Sequence, residues 1–252
     1  MSFGATPRAG LVFDLGSRRV LWRRGATRVL PIASLTKVMT ALVAVERLAP
    51  GERVRIPVAA PAVRGSKMGA LVPGRRVRAE ALLQGLLIPS GNDAAIALAV
   101  GAAGSERRFV TLMNRRARRL GLTCTRYVTV HGLGAGNRSC PADLAELATR
   151  AITQPRIARI AARASAAVDV GGERVQALRT TNPLLRAGYP GAIGLKTGFT
   201  PAAGRCLIAI VRRDGRRIGV VLLGSLDPGA TARRLLEAAR RARVIRSSPG
   251  SP

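Results

Sequence analysis

Aromatic side chains are scarce: Phe, Trp and Tyr together make up 3% of the 252 residues. A core must therefore be filled by Ala, Leu, Val and Ile, within an ordinary hydrophobic share of 47%. The same scarcity argues against a nucleic-acid partner, because such readers interleave stacking aromatics with basic residues. Acidic residues are also few, 13 against 42 Lys+Arg, which leaves a formal net charge of +29. That excess has two readings. One is an anionic partner such as a lipid surface or an acidic polymer; the other is a solvated arginine surface with no use for its charge. Histidine occurs once, as His131, and no C-x-x-C pair occurs among Cys124, Cys140 and Cys206. A zinc site has almost no ligands to draw on, so neither metal nor cofactor is expected. In an oxidising compartment Cys124 and Cys140 can pair, since both lie in one loop-rich stretch. Three unpaired thiols is the preferred reading, with Cys206 in the core of an apolar strand. No apolar run is long enough to span a bilayer. Residues 1–10 hold no apolar h-region, so no signal peptide is read in the sequence as it stands.

The length is enough to bury a large core in one domain, with or without a sizeable insertion. Apolar runs at residues 10–15 and 19–22, separated by Gly16-Ser17, predict a β-hairpin. A helix is predicted to start at Ser34, with Val38, Leu42 and Val45 on one face, and to end at Pro50-Gly51. The middle reads as mostly helical, with candidates at residues 79–87 and 92–100. A further helix runs from Ser105 as N-cap to Gly121, and another starts at Pro141. Residues 122–139 read as loop. In the last third, two apolar runs flank Asp214-Gly215, a hairpin signal, and an amphipathic helix follows. The tail at residues 247–252 reads as disordered. The expected fold is α/β, with one sheet completed by both chain ends. The α/β part covers about residues 8–50 and 178–246, and a helical insertion about 51–177, all in one domain.

Three short motifs carry chemistry: Ser34-Leu35-Thr36-Lys37 (S-x-x-K), Ser90-Gly91-Asn92 (S-x-N) and Lys196-Thr197-Gly198 (K-T-G). Each alone is weak; together, in this order, they are specific. Residues three apart share a helix face, so Lys37 can reach the hydroxyl of Ser34. A helix start also offers free N–H groups to an oxyanion. A serine is a poor nucleophile until a base takes its proton. Lysine serves as that base only if burial or a nearby cation lowers its pKa, and Lys196 supplies such a cation. Residue choice supports this reading. Only Lys37, Lys67 and Lys196 are lysines among the 42 basic residues. Random filling would put lysine at both motif positions roughly 0.3% of the time, and arginine cannot release its proton. Lys67, in R-G-S-K-M-G, reads as a surface lysine in a turn, or more sharply as a residue at the rim of the site.

The segments PIASLTKVMTA, GLLIPSGNDAA and GLKTGFTPAAG resemble those of D-alanyl-D-alanine carboxypeptidases, the low-molecular-mass penicillin-binding proteins. FVTLMNRRARRLGL, the HGL at residues 131–133 and the TNPLL at 181–185 agree, so the resemblance runs from about residue 10 to about residue 243. It implies a β-lactamase/transpeptidase-like fold: an antiparallel sheet flanked by helices, with a mostly helical inserted subdomain. It also implies a serine-type carboxypeptidase that removes the terminal D-alanine of peptidoglycan stem pentapeptides through an acyl-enzyme on Ser34. In that scheme Lys37 takes the serine proton, and Ser90 and Lys196 relay a proton to the leaving nitrogen. Asn92 orients Lys37 and the substrate amide. The N–H groups of Ser34 and Phe199 form the oxyanion hole. Thr197 and Thr200 hold the terminal carboxylate, and Gly198 belongs to the same binding strand. β-Lactams are trapped on Ser34 as covalent inhibitors. The family further implies an extracytoplasmic location; the net charge, not the resemblance, is what suggests an anionic wall polymer or membrane surface as a second partner.

There are departures. The pattern S-T-A-x-D-L-A after the HGL loop reads Ser139-Cys140-Pro141-Ala142-Asp143-Leu144-Ala145 here, and YVTV precedes His131 where relatives often have Asn. The signal peptide, C-terminal β-rich domain and amphipathic anchor of many relatives are not visible. A class A β-lactamase would carry S-D-N and a Glu-x-x-Leu-Asn loop, which this sequence lacks. A Ser-His-Asp hydrolase would need a G-x-S-x-G elbow, so His131 reads as structural. The motifs do not separate carboxypeptidase from D,D-endopeptidase. Their completeness argues against a non-catalytic basic wall-binding protein.

Overall fold

The computed structural model describes residues 6–244. The tail read as disordered, 247–252, lies outside the described residues.

The chain opens with β1 (Ala9–Asp14) and β2 (Val20–Arg24), the expected hairpin, whose turn is held by Asp14 accepting from the amides of Gly16 and Ser17. A short β3 (Leu30–Pro31) leads to a 3-10 turn, Ala33–Thr36, and then α1 (Lys37–Val45). The α-helix thus begins three residues later than predicted, and Ser34 sits in the tighter turn before it. Next come β4 (Arg53–Arg55), α2 (Ala59–Ala62), β5 (Arg76–Arg78), α3 (Ala79–Leu87), α4 (Asn92–Ala103) and α5 (Glu106–Arg119). Ser105 caps α5 as expected, accepting from the Arg108 amide, and Gly121 follows it in the left-handed region at φ 70°. β6 (Arg138–Ser139) pairs with β3, and α6 (Pro141–Ile152) starts on its proline. α7 (Pro155–Ala161), β7 (Ser165–Asp169), β8 (Val175–Arg179) and α8 (Pro183–Arg186) complete the middle. The chain closes with β9 (Ala192–Thr200), β10 (Gly204–Arg213), β11 (Arg216–Ser225) and α9 (Pro228–Val244).

The main sheet has the order β2-β1-β11-β10-β9 and is antiparallel throughout, so both chain ends build it. Arg213 lies opposite Arg216 across a two-residue turn in which Asp214 and Gly215 both have positive φ, 51° and 68°. That is the geometry a D-G hairpin supplies. Alternation decides which face each strand residue covers. Cys206, Ile208, Ile210, Val221 and Leu223 join the large core beneath the helical middle. Leu207, Ala209, Val211, Val220 and Leu222 join a second core under α9. Both faces of the sheet are covered, which is why β10 and β11 read as unbroken apolar runs. The helical middle also contains two ribbons not read from the sequence, β4–β5 and β7–β8.

Cys124 and Cys140 form a disulfide, with Cα atoms 5.6 Å apart, and Cys206 is a free, buried thiol. This corrects the preference for three unpaired thiols. β6 and the start of α6 bring Cys140 alongside Cys124, a proximity that spacing in a loop does not reveal.

Candidate active site

Three segments converge. The 3-10 turn carries Ser34, the loop entering α4 carries Ser90, and the edge strand β9 carries Lys196. Gly198 lets β9 lie against the turn: a Cβ there would stand 3.0 Å from the Ser34 amide nitrogen and 3.2 Å from Ala33 Cβ. A side chain there would crowd the turn that carries Ser34.

Lys37 is fully buried, and its Nζ donates to Ser34 Oγ at 2.8 Å, Asn92 Oδ1 at 2.7 Å and the His131 carbonyl at 2.8 Å. Burial pushes its pKa well below the ordinary lysine value, and the charge of Lys196 pushes it further. Lys196 is also buried; that alone brings its pKa down to about 7, and its Nζ donates to the Thr197 carbonyl at 2.9 Å. Ser90 holds a left-handed backbone, φ 69°, and its buried hydroxyl has no hydrogen-bond partner among the described residues. Asn92 is fixed from both sides, its Nδ2 donating to the Arg64 carbonyl at 2.8 Å and its own amide donating to Ser66 O at 2.7 Å.

These groups open into a cleft of about 610 Å³ lined by Ser34, Ser66, Ser90, Thr181, Thr197, Gly198 and Phe199, with Arg205 and Leu226 beyond. Thr197 and Thr181 share a hydrogen bond between hydroxyls at 2.6 Å. Thr200 is buried outside the lining, and its hydroxyl accepts from the Ala203 amide in the turn into β10. Lys67 is exposed and bonds the Pro61 carbonyl, while its neighbour Ser66 reaches the cleft. The His131 ring accepts from the Leu133 amide, and burial together with Lys37 lowers its pKa to about 4. The imidazole is therefore neutral and locally engaged.

Sequence reading missed four groups. Asp93 accepts from the amides of Met68, Gly69 and Ala94, fixing the loop that delivers Ser66. Its place one residue past S-x-N was the available signal. Ser66 carries no motif signal, and Thr181 begins the T-N-P-L-L segment that agrees with the family but was given no role. Arg205 lies in register with Phe199, and its Nη1 donates to Leu226 O. In a chain this rich in arginine, residue type could not single it out.

A serine, a buried amine bonded to it and a second lysine on a sheet edge have a known counterpart. The family model described as D-alanyl-D-alanine carboxypeptidase matches residues 5–226. The D-alanyl-D-alanine carboxypeptidase DacF of Bacillus subtilis is 31% identical over 88% of this chain and 58% of its own length. This chain thus spans under two thirds of that relative. A D-alanyl-D-alanine endopeptidase of Haemophilus influenzae is 30% identical, over 88% of this chain and 76% of its own. The crystal structure of the Streptomyces K15 DD-transpeptidase superposes with a TM-score of 0.88 at 28% identity. It covers 96% of this chain and 99% of that one. With a family model spanning most of the sequence and a shared fold behind it, this chain belongs to the D-alanyl-D-alanine carboxypeptidase family.

Proposed function

We propose that this protein is a serine-type D-Ala-D-Ala carboxypeptidase acting on peptidoglycan stem pentapeptides. The observation that carries the reading is the set of three acceptors around Lys37 Nζ. A neutral amine has two N–H bonds and one lone pair. The Asn92 and His131 oxygens are acceptors only, so they take the two N–H bonds. The lone pair is then left facing Ser34 Oγ, the one partner with a proton to give. Burial and the neighbouring Lys196 cation favour that neutral form.

In the proposed reaction Ser34 Oγ attacks the carbonyl carbon between the two terminal D-alanines while its proton passes to Lys37. The amides of Ser34 and Phe199 stabilise the oxyanion. The C–N bond breaks, and the leaving nitrogen takes a proton through Ser90 and Lys196. The unpartnered Ser90 hydroxyl is available for that transfer. Water then hydrolyses the acyl ester on Ser34. Thr197 and Thr181, with the Arg205 guanidinium, form the polar end of the cleft suited to a terminal carboxylate. β-Lactams would acylate the same serine. A D,D-endopeptidase would use the same groups on a cross-linked peptide, and the endopeptidase relative keeps that second reading in play. The disulfide supports an extracytoplasmic, oxidising location.

The test is incubation with a fluorescent penicillin, followed by mass spectrometry of the labelled peptide. Label on Ser34, absent in Ser34→Ala, is the expected result. A folded wild-type protein that takes no label would overturn the reading. Pentapeptide against cross-linked dimer then separates carboxypeptidase from endopeptidase.

A further inference from the structure

The β4–β5 ribbon has an unusual charge pattern. Arg53 lies directly opposite Arg78, and Arg55 directly opposite Arg76. All four arginines are exposed, while Val54 and Val77 between them are buried. Alternation therefore puts the four guanidinium groups on one outward face and both apolar side chains inward. None of the four makes a hydrogen bond through its side chain or an ion pair among the described residues. The acids next to them in sequence are engaged elsewhere. Glu52 accepts from the Ala49 amide, and Glu80 pairs with Arg156 and Arg159.

Another opposed pair makes the contrast. On the β10–β11 hairpin Arg213 faces Arg216, but there Glu237 pairs with Arg213 and Asp14 with Arg216. Like charges directly opposite on one sheet face repel and destabilise the pairing. Acids offset that repulsion at Arg213 and Arg216; Arg212 opposite Arg217 and Arg126 opposite Arg138 have no acid partner among the described residues, but each is a single opposed pair, whereas β4–β5 sets two such pairs side by side on one face. The ribbon is nonetheless held firmly. Ile56 donates to the Arg75 carbonyl, Ala79 donates to the Glu52 carbonyl, and Val54 packs over Gly101.

We infer that the outward face of the β4–β5 ribbon is a docking surface for a flexible anionic polymer bearing phosphodiester groups. Guanidinium groups bind phosphate oxygens in pairs, and two rows of two, about 6.8 Å apart along the strands, present four of them together. The ribbon's side chains also decide against other polyanions. With both valines turned inward it has no apolar group to insert into a lipid surface. With no aromatic residue it has nothing on which bases stack. This inference is independent of the peptidase reading, since it does not involve Ser34.

The experiment measures poly(glycerol phosphate) binding by calorimetry, and thermal midpoints with and without that polymer. The test variant is Arg53→Gln/Arg55→Gln/Arg76→Gln/Arg78→Gln. A charge-matched control carries Arg107→Gln/Arg108→Gln/Arg115→Gln/Arg119→Gln on exposed positions of α5. Fluorescent-penicillin labelling and circular dichroism check that each variant is folded. Three results are expected. The polymer raises the wild-type midpoint. The ribbon variant binds at least 10-fold more weakly than wild type, and the α5 control less than 3-fold. Without polymer, at low salt, the ribbon variant melts higher than wild type, because internal repulsion is gone. Equal losses in the two variants would mean that net charge alone drives binding, and would overturn the proposal. So would a ribbon variant that binds as wild type, or tight binding of phosphatidylglycerol vesicles or duplex DNA through the ribbon without binding of the polymer.

Discussion

Lys37 and Lys196 are two buried amines whose charges work against each other. Burial and the Lys196 charge both oppose the ammonium form of Lys37, and Lys196 itself titrates at about 7. If Lys37 is the base and Lys196 the cation, acylation by penicillin follows a bell-shaped pH profile whose basic limb lies near pH 7. Lys196→Gln removes the charge that helps keep Lys37 neutral. The acid limb should then move to higher pH, the basic limb should vanish, and the maximum rate should fall by 10-fold or more. An acid limb that stays in place would refute the coupling. Stability has its own sign. Both amines have folded pKa values below the unfolded one, so the unfolded chain binds more protons above pH 7, and stability rises with pH. The slope is at most about 1.4 kcal/mol per pH unit for each lysine. The useful window is pH 7 to 9, because above it the Cys206 thiol, raised to about 11 by burial, acts in the opposite sense. Urea midpoints of wild type and Lys196→Gln across that window should differ in slope, with the variant flatter.

The segment between α5 and α6 shows what a stretch contributes when it has almost no regular structure. Residues 122–139 read as loop in the sequence and are mostly loop in the fold, yet they supply the third contact of Lys37. Asn137 is fully buried and organises the loop. Its Oδ1 accepts from the amides of Val128 and Thr129, its Nδ2 donates to Thr36 Oγ1 and to Thr129 O, and its carbonyl accepts from Ile32. The disulfide closes the same loop at its base. Asn137→Ala strands several buried polar groups and should cost about 2–4 kcal/mol, read as a lower urea midpoint. It should also slow penicillin acylation in protein that is still folded, because the His131 carbonyl loses its anchor. An unchanged rate would show that this carbonyl does not need the loop's order. None of this was legible, since an asparagine in a loop carries no sign of which groups it will join. The longer helices and the main hairpins were legible because caps, proline starts and the Asp214-Gly215 turn are local signals, whereas the short α2, α7 and α8 were not read. The β4–β5 ribbon was not: each strand offers one valine between two arginines, too little alternation to read.

On the scale of the whole molecule, the placement of strands at both chain ends was readable, and so was the S-x-x-K, S-x-N and K-T-G order that the sheet edge and the helices bring together. The use of the charge was not, because net charge bears on association rather than on fold. The structure makes part of it testable. Against 42 basic and 13 acidic residues, the acids that form ion pairs among the described residues are few: Asp14, Glu46, Glu80, Glu146 and Glu237. Most of these pairs are partly exposed, and exposed pairs contribute little, typically about 0–1 kcal/mol. The larger surface term is repulsion among the unpaired arginines, which salt screens over roughly 8–10 Å at moderate ionic strength. Raising sodium chloride from about 20 to about 300 mM should therefore raise the melting temperature by several degrees. Chloride is the right probe, since sulfate strengthens apolar burial as well. A melting temperature that falls with salt would mean that ion pairs outweigh repulsion. If the β4–β5 ribbon holds a disproportionate share of the repulsion, neutralising its four arginines should flatten the salt dependence more than neutralising four on α5. That would place the excess charge on one face of the fold rather than on the surface at large.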